Sequence, residues 1–173
     1  PAVRVEAPAD FAFALLVAAA RRLGEGERLV RAGRWRGWAP DLLLGADVAG
    51  RTLGVIGLGR IGRAVARRAA GFAMPVVYHR GAAAPGSAAR AVELDELLAT
   101  SDVVTVHCPL TPATRGLLDA RALAAMRPGA ILVNTARGPI VDEVALCDAL
   151  ERGQLAGAGL DVFDDEPRVS ARL

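Results

Sequence analysis

Three glycines in the run Gly57-Leu-Gly59-Arg60-Ile61-Gly62 stand directly after an apolar run and directly before a helical pattern. That arrangement suits the binding of a pyrophosphate. The first glycine permits a tight turn, the second lets the backbone approach phosphate oxygens, and the third lets helix and strand pack closely. The helix N-terminus adds free N–H groups and the positive end of its dipole. The next apolar run ends Val76-Val77-Tyr78-His79-Arg80. An NAD-specific fold would carry Asp or Glu there for the ribose 2′-OH. Arg80 occupies the place, and no acid follows until Glu93. A guanidinium suits a 2′-phosphate, so NADP is expected, with NAD as the other choice.

Other side chains invite chemistry singly. Arg137 follows an apolar run and precedes Gly138-Pro139. Its planar fork could hold a carboxylate and polarise a neighbouring carbonyl; read alone, it is a turn residue. Glu166, in the acidic run Asp164-Asp165-Glu166, reads alone as part of a solvated loop. His79 and His107 are tempting proton donors, yet both end strands near the adenosine half of the expected cleft, which suggests cofactor-lining or structural duties. Cys108, between His107 and Pro109, has no partner acid or oxyanion motif and reads as a small cleft-wall residue. Cys147, among Val144, Leu146 and Leu150, reads as core. No Cys/His spacing fits a metal site. All 21 basic residues are Arg, which excludes a Schiff-base lysine and the lysine of a phosphate-binding P-loop.

These groups need a scaffold, and the pattern from Thr52 onward supplies one. Apolar or β-branched runs at 53–57, 75–79, 103–107, 131–135 and 156–161 alternate with helical stretches at 61–71, 94–99, 119–126 and 143–151. Strands alternating with helices predict an α/β, Rossmann-type, doubly wound parallel sheet with helices on both faces. Residues 81–90, rich in Ala, Gly and Pro, predict a loop. Upstream, a mostly apolar helix is expected from Pro8 or Asp10 through Leu23, reaching toward Ala32. An irregular arm carrying Trp35 and Trp38 follows, suited either to a dimer contact or to packing on the chain's own helix. The 173 residues fit a single dinucleotide-binding domain, with the helix and arm over 1–50 and the core over 51–167. Apolar residues make up 53% of the chain, enough for a buried core, and the net charge of +2 gives no reason to expect nucleic acid or a membrane surface as partner. The longest apolar run, Phe11 to Ala20, is too short to span a bilayer, and a reducing, cytoplasmic setting is expected.

Four separated motifs in order carry a resemblance: 53–62 (Leu-Gly-Val-Ile-Gly-Leu-Gly-Arg-Ile-Gly), 106–111 (Val-His-Cys-Pro-Leu-Thr), 133–138 (Val-Asn-Thr-Ala-Arg-Gly) and 159–167 (Gly-Leu-Asp-Val-Phe-Asp-Asp-Glu-Pro). The chain resembles the D-isomer-specific 2-hydroxyacid dehydrogenases, and within them the glyoxylate/hydroxypyruvate reductases. The resemblance implies that Gly57, Gly59, Arg60, Ile61 and Gly62 meet the pyrophosphate, with His79 and Arg80 near the adenosine ribose. It implies that Cys108, Pro109 and Thr114 line the adenosine side, and that Thr135, Ala136 and Asp161 hold the nicotinamide end. Arg137 matches the substrate arginine and Glu166 the acid behind the proton donor. The implied activity is hydride transfer between NADP or NAD and a small 2-oxo/2-hydroxy acid, in a homodimer formed through the cofactor domain.

The family's catalytic His follows the Asp-Glu-Pro segment, and an N-terminal lobe supplies part of its substrate site; neither is found in these residues. General acid catalysis typically contributes about 10²–10⁴-fold. The expectation is a chain that binds cofactor and turns over poorly or not at all by itself. The alternative function is a non-catalytic NAD(H)-binding regulatory or dimerisation module of the same fold family.

Overall fold

The computed structural model describes residues 4–173. Its six strands are β1 (Leu53–Leu58), β2 (Val76–Gly81), β3 (Arg90–Ala91), β4 (Val103–Val106), β5 (Ala130–Asn134) and β6 (Leu155–Leu160). Every neighbouring pair is parallel, and the order across the sheet is β3-β2-β1-β4-β5-β6. The expected α/β Rossmann-type architecture is therefore the observed one. Chain direction across the sheet reverses between β1 and β4, and the carboxyl ends at such a reversal leave a crevice for ligands.

The apolar runs explain how the sheet is covered. Leu53, Val55, Val103, Ile131 and Val133 point to one face; Ile56, Val104, Val106 and Leu132 point to the other. Both faces are buried, so β1 is buried at all six positions. One face is covered by α1 (Glu6–Ala20) and α3 (Arg60–Ala69). The other is covered by α4 (Leu94–Thr100), α5 (Ala120–Ala125) and α6 (Glu143–Glu151). Asp119 and Asp142 start α5 and α6 by accepting hydrogen bonds from the Ala122 and Ala145 amides, at 2.8 and 3.0 Å.

The first helix differs from the expected continuous one. It breaks at Arg21-Arg22, where Arg22 has φ 54°, and α2 (Leu23–Arg31) leaves in a new direction with no buried residue. Continuation of α1 would have kept an apolar helix on a path that ends at charged residues; the break lets only the apolar part stay on the sheet. Ala9, Ala12, Phe13, Leu16 and Ala20 are buried against β5, β6 and α3. Gly159 makes the close approach feasible, since a Cβ there would stand 2.8 Å from the Leu15 Cβ. Phe13 also meets Phe72, with ring centroids 5.0 Å apart. Burial of side chains such as Phe13 and Leu16 contributes about 1.5–3 kcal/mol each. At the rim, Arg67 and Arg68 bind Glu6 at 2.7 and 2.8 Å, and Arg68 also binds Asp10. The Arg68 hydrogen bond, ahead of the charge of Arg67, holds the Glu6 carboxyl below its usual range.

The expected loop over 81–90 is shorter than the sequence suggests. β2 runs on through Gly81, and Arg90-Ala91 forms the short edge strand β3 beside Val77 and Tyr78. The last residues are tied back to α6, where Arg172 binds Asp148 at 2.6 Å and Glu151 at 2.8 Å.

Candidate functional site: the crevice at the carboxyl ends of β1, β4 and β5

Each of the three glycines at the junction of β1 and α3 has a different physical role. Gly57 has φ 99°, and a Cβ on it would stand 2.6 Å from the Cys108 amide nitrogen. Only glycine lets β1 turn this tightly against the end of β4. Gly62 lies within α3 and faces the Gly57 carbonyl oxygen so closely that a Cβ would overlap it. Gly59 is the N-cap of α3, and nothing lies within 4 Å of where its Cβ would be. The Arg63 amide donates to the Gly59 carbonyl at 2.9 Å, so the amides of Arg60, Ile61 and Gly62 precede the first intrahelical bond. A compact turn, an open approach and free amides at a helix start fit a pyrophosphate.

β2 delivers Arg80 to this turn. Ile56 pairs with His79 and Leu58 with Gly81, while a Cβ at Gly81 would stand 2.9 Å from Leu58 backbone atoms. Arg80, between them, is exposed and has φ 64°, a left-handed conformation that costs about 1–2 kcal/mol for a residue with a side chain. Among the described residues its guanidinium makes no ion pair. From Val48 through Val92 the chain has seven Arg and no carboxylate. Arg63 spends its Nε on the Ala82 carbonyl oxygen at 2.9 Å and so holds the strand exit in place. His79 is turned toward the sheet edge, its Nδ1 3.2 Å from the Val92 carbonyl oxygen.

β4 forms the opposite wall. The His107 amide donates to the Ile56 carbonyl at 2.8 Å, and Cys108 lies buried beside Gly57. Burial pushes the Cys108 thiol up, against a smaller opposing pull from the Arg80 charge. Burial lowers the His107 imidazole to about 4, so it is neutral at pH 7. Its Nε2 is 2.8 Å from the Thr105 hydroxyl. Past Pro109, Thr114 is turned into its own loop: its Oγ1 accepts from the Thr111 amide at 2.8 Å and donates to the Pro109 carbonyl at 2.7 Å. Thr114 thus shapes the Cys108–Pro109 wall through the backbone.

The turn that carries Arg137 and the loop that carries Glu166 touch. Asn134, buried at the end of β5, accepts from the Ala136 amide and donates to the Arg137 carbonyl, both at 3.0 Å. That pair of bonds fixes the Thr135-Ala136-Arg137 turn. Gly138 then packs on the Phe163 carbonyl with no space for a Cβ, which presses the loop after β6 against the Arg137 turn. The Asp161 amide donates to the Asn134 carbonyl at 3.0 Å and starts that loop. Within it, one Glu166 oxygen accepts from the Phe163 amide at 2.9 Å, while Glu143 accepts from the Asp164 amide at 3.2 Å. The Arg137 guanidinium is exposed and donates to the Ala136 carbonyl at 2.6 Å. Its remaining N–H groups can grip a carboxylate. Thr135 Oγ1 is buried and has no hydrogen-bond partner among the described residues.

Sequence reasoning passed over Asn134 and Thr105, although a polar residue in an otherwise apolar strand was a signal in both cases. A separate cavity of about 980 Å³ opens between α3, β2 and the connection from Ala84 to Ala89. It contains neither the glycine turn nor Arg137, and its floor is Ala66, Ala70, Met74 and Val76. Among the described residues no three His, Cys, Asp or Glu gather as a metal site, and no helix is long and apolar enough to cross a membrane.

Known proteins share this fold. Residues 13–173 match the family model described as D-isomer specific 2-hydroxyacid dehydrogenase, NAD binding domain. A glyoxylate reductase of Korarchaeum cryptofilum is 51% identical over 172 residues, covering 96% of this chain and 52% of that protein. The TT0316 protein of Thermus thermophilus superposes with a TM-score of 0.93 at 53% identity, over 99% of this chain and 54% of that one. A glyoxylate reductase from Paecilomyes thermophila gives a TM-score of 0.89 at 42% identity, over 99% and 52%. The chain spans about half the length of the curated relatives it matches. With its glycine turn at the sheet reversal, the chain belongs to the D-isomer specific 2-hydroxyacid dehydrogenases and corresponds to their NAD-binding domain.

Proposed function

We propose that the chain is the cofactor domain of a glyoxylate reductase-like enzyme, transferring hydride between NADP, in preference to NAD, and a small 2-oxo/2-hydroxy acid. The observation that carries this reading is the shared edge of the sheet. The glycine turn, Arg80 and the Arg137 turn all stand at carboxyl ends in one parallel sheet, those of β1, β2 and β5. Bound there, the nicotinamide would supply or accept the hydride. Gly57, Gly59 and Gly62, with the amides of Arg60 and Ile61, would hold the pyrophosphate. Cys108 and Pro109 would wall the adenosine side, with Thr114 behind them and His79 at the rim. Thr135, Ala136 and Asp161 would frame the nicotinamide end. Arg137 would grip the substrate carboxylate through two N–H groups and draw electron density from the adjacent carbonyl. Glu166, with one oxygen on the Phe163 amide, keeps its second oxygen for a protonated partner. Neither imidazole of these 173 residues suits proton donation, since His107 is neutral and His79 faces Val92.

Arg80 supports the choice of NADP, because it is strained, unpaired and set beside the turn in a stretch free of carboxylates. The exposed Trp35 and Trp38, with Leu42 and Leu44, support a homodimer through the arm. Cys108 and Cys147, both free and buried, fit a reducing, cytoplasmic setting. The test is a fluorescence titration of the chain with NADPH and NADH. A charge-assisted contact of about 1.5–3 kcal/mol predicts about 10- to 150-fold tighter NADPH binding. Arg80→Ala should erase the difference. Equal affinities in the parent chain would refute the NADP assignment, and binding of neither would refute the cofactor reading.

A further inference from the structure

We infer that His107 is a cofactor-contact residue, a neutral hydrogen-bond donor whose Nδ1–H meets the ribose next to the nicotinamide. The inference rests on the proposed cofactor reading and gives His107, expected from the sequence near the adenosine half, a contact on the nicotinamide side of the pyrophosphate instead. Thr105 and His107 are two residues apart along the β4 direction and share a face of the sheet. The Thr105 hydroxyl is buried and has one hydrogen-bond partner, His107 Nε2, at 2.8 Å. A buried hydroxyl must place its proton on an acceptor, and Nε2 is the acceptor within reach. The ring is therefore held with Nε2 bare and Nδ1 protonated. The depressed basicity of the buried ring keeps it in that neutral form.

The two nitrogens of an imidazole point nearly opposite ways. With Nε2 aimed back down the strand at Thr105, Nδ1–H faces the carboxyl edge of the sheet. Among the described residues Nδ1 has no hydrogen-bond partner, and it is not sealed from solvent as Thr135 Oγ1 is. Its position along the edge selects the ligand group. Val106 pairs with both Ile56 and Asn134, so His107 stands one step further, between the Gly57 turn and Thr135. The glycine turn takes the pyrophosphate and Thr135 borders the nicotinamide end. Between those two groups a dinucleotide carries a ribose, whose hydroxyl oxygens are acceptors.

His107→Leu tests the contact, with binding as the readout. The probes are NADPH and 2′,5′-ADP, which has the adenosine half alone. A thermal melt and a circular dichroism spectrum check the fold of the variant. One lost neutral hydrogen bond predicts about 3- to 10-fold weaker NADPH binding and unchanged 2′,5′-ADP binding. Equal weakening of both probes would assign His107 a purely structural role and overturn the inference, as would no change in either. If the parent chain fails to bind NADPH, the cofactor reading falls first. Long-range ¹⁵N NMR of the imidazole, assigned with a His79→Gln variant, reads the tautomer independently. The expected result is a protonated Nδ1 and a bare Nε2 at pH 7; a protonated Nε2 would overturn the inference.

Discussion

Replacing each glycine of the β1–α3 turn by alanine should separate folding from binding. Gly57→Ala places a methyl 2.6 Å from the Cys108 nitrogen at φ 99°. A left-handed backbone costs a residue with a Cβ about 1–2 kcal/mol, and forcing a methyl into a packed site costs about 1–3 kcal/mol more. The expected loss is about 2–5 kcal/mol, a large part of the stability of an ordinary domain. Gly62→Ala meets the Gly57 carbonyl and should be damaging for the same packing reason. Gly59→Ala meets nothing within 4 Å, at φ −80° and ψ −159°, which alanine adopts freely. Its stability should equal that of the parent or rise by about 0.4–1 kcal/mol, through a less flexible unfolded chain. Its methyl nevertheless occupies the approach to the helix amides, so NADPH binding should fall at least about tenfold, the equivalent of 1.4 kcal/mol. Urea denaturation and NADPH titration of the three variants give both quantities. If Gly59→Ala unfolds as readily as Gly57→Ala, or binds NADPH like the parent, the division of roles is wrong.

Further perturbations probe the rest of the crevice. Asn134→Ala strips partners from the Ala136 amide and the Arg137 carbonyl and should cost about 2–4 kcal/mol by urea denaturation; a loss below about 0.5 kcal/mol would deny Asn134 its role in the turn. His107 sits at about 4 when folded against 6.5 as its ordinary value, so between those values the unfolded chain binds a proton that the folded chain does not. Stability must therefore fall as pH drops through that window, by about 2 kcal/mol from His107 between pH 7 and pH 5. His107→Leu should flatten that part of the urea-midpoint profile, and an unchanged slope would contradict the buried neutral ring. Light scattering after size exclusion should give twice the chain mass for the parent and the single mass for Trp38→Asp; a monomeric parent would rule out the dimer.

Much of this was legible because local rules and the fold agree. The apolar runs of five strands, the helical stretches between them and the glycine turn each announce themselves within a few residues. What the sequence hid depends on contacts between distant segments or on single backbone angles. The break at Arg22 has neither glycine nor proline to mark it, since a left-handed arginine ends α1. The edge strand Arg90-Ala91 is too short to carry a period. The docking of α1 on β6 left a trace in the alternation of Gly157 and Gly159, which reads as a weak strand until Leu15 and Ala19 are seen opposite. Arg137 and Glu166 were recognisable through their motifs. The docking of their two loops rests on Gly138 against Phe163, a contact that no local pattern encodes.

In the proposed reading the cofactor binds at the carboxyl edge, across the glycine turn, and not in the cavity beside β2. Amide ¹H–¹⁵N NMR of the chain titrated with NADPH tests it most directly. The account predicts the largest shifts at Gly59, Arg60, Ile61, Gly62, Arg80 and the Thr135–Arg137 turn. Shifts centred on Ala66, Ala70 and Ala84–Ala89, with the glycine-turn amides unmoved, would contradict it.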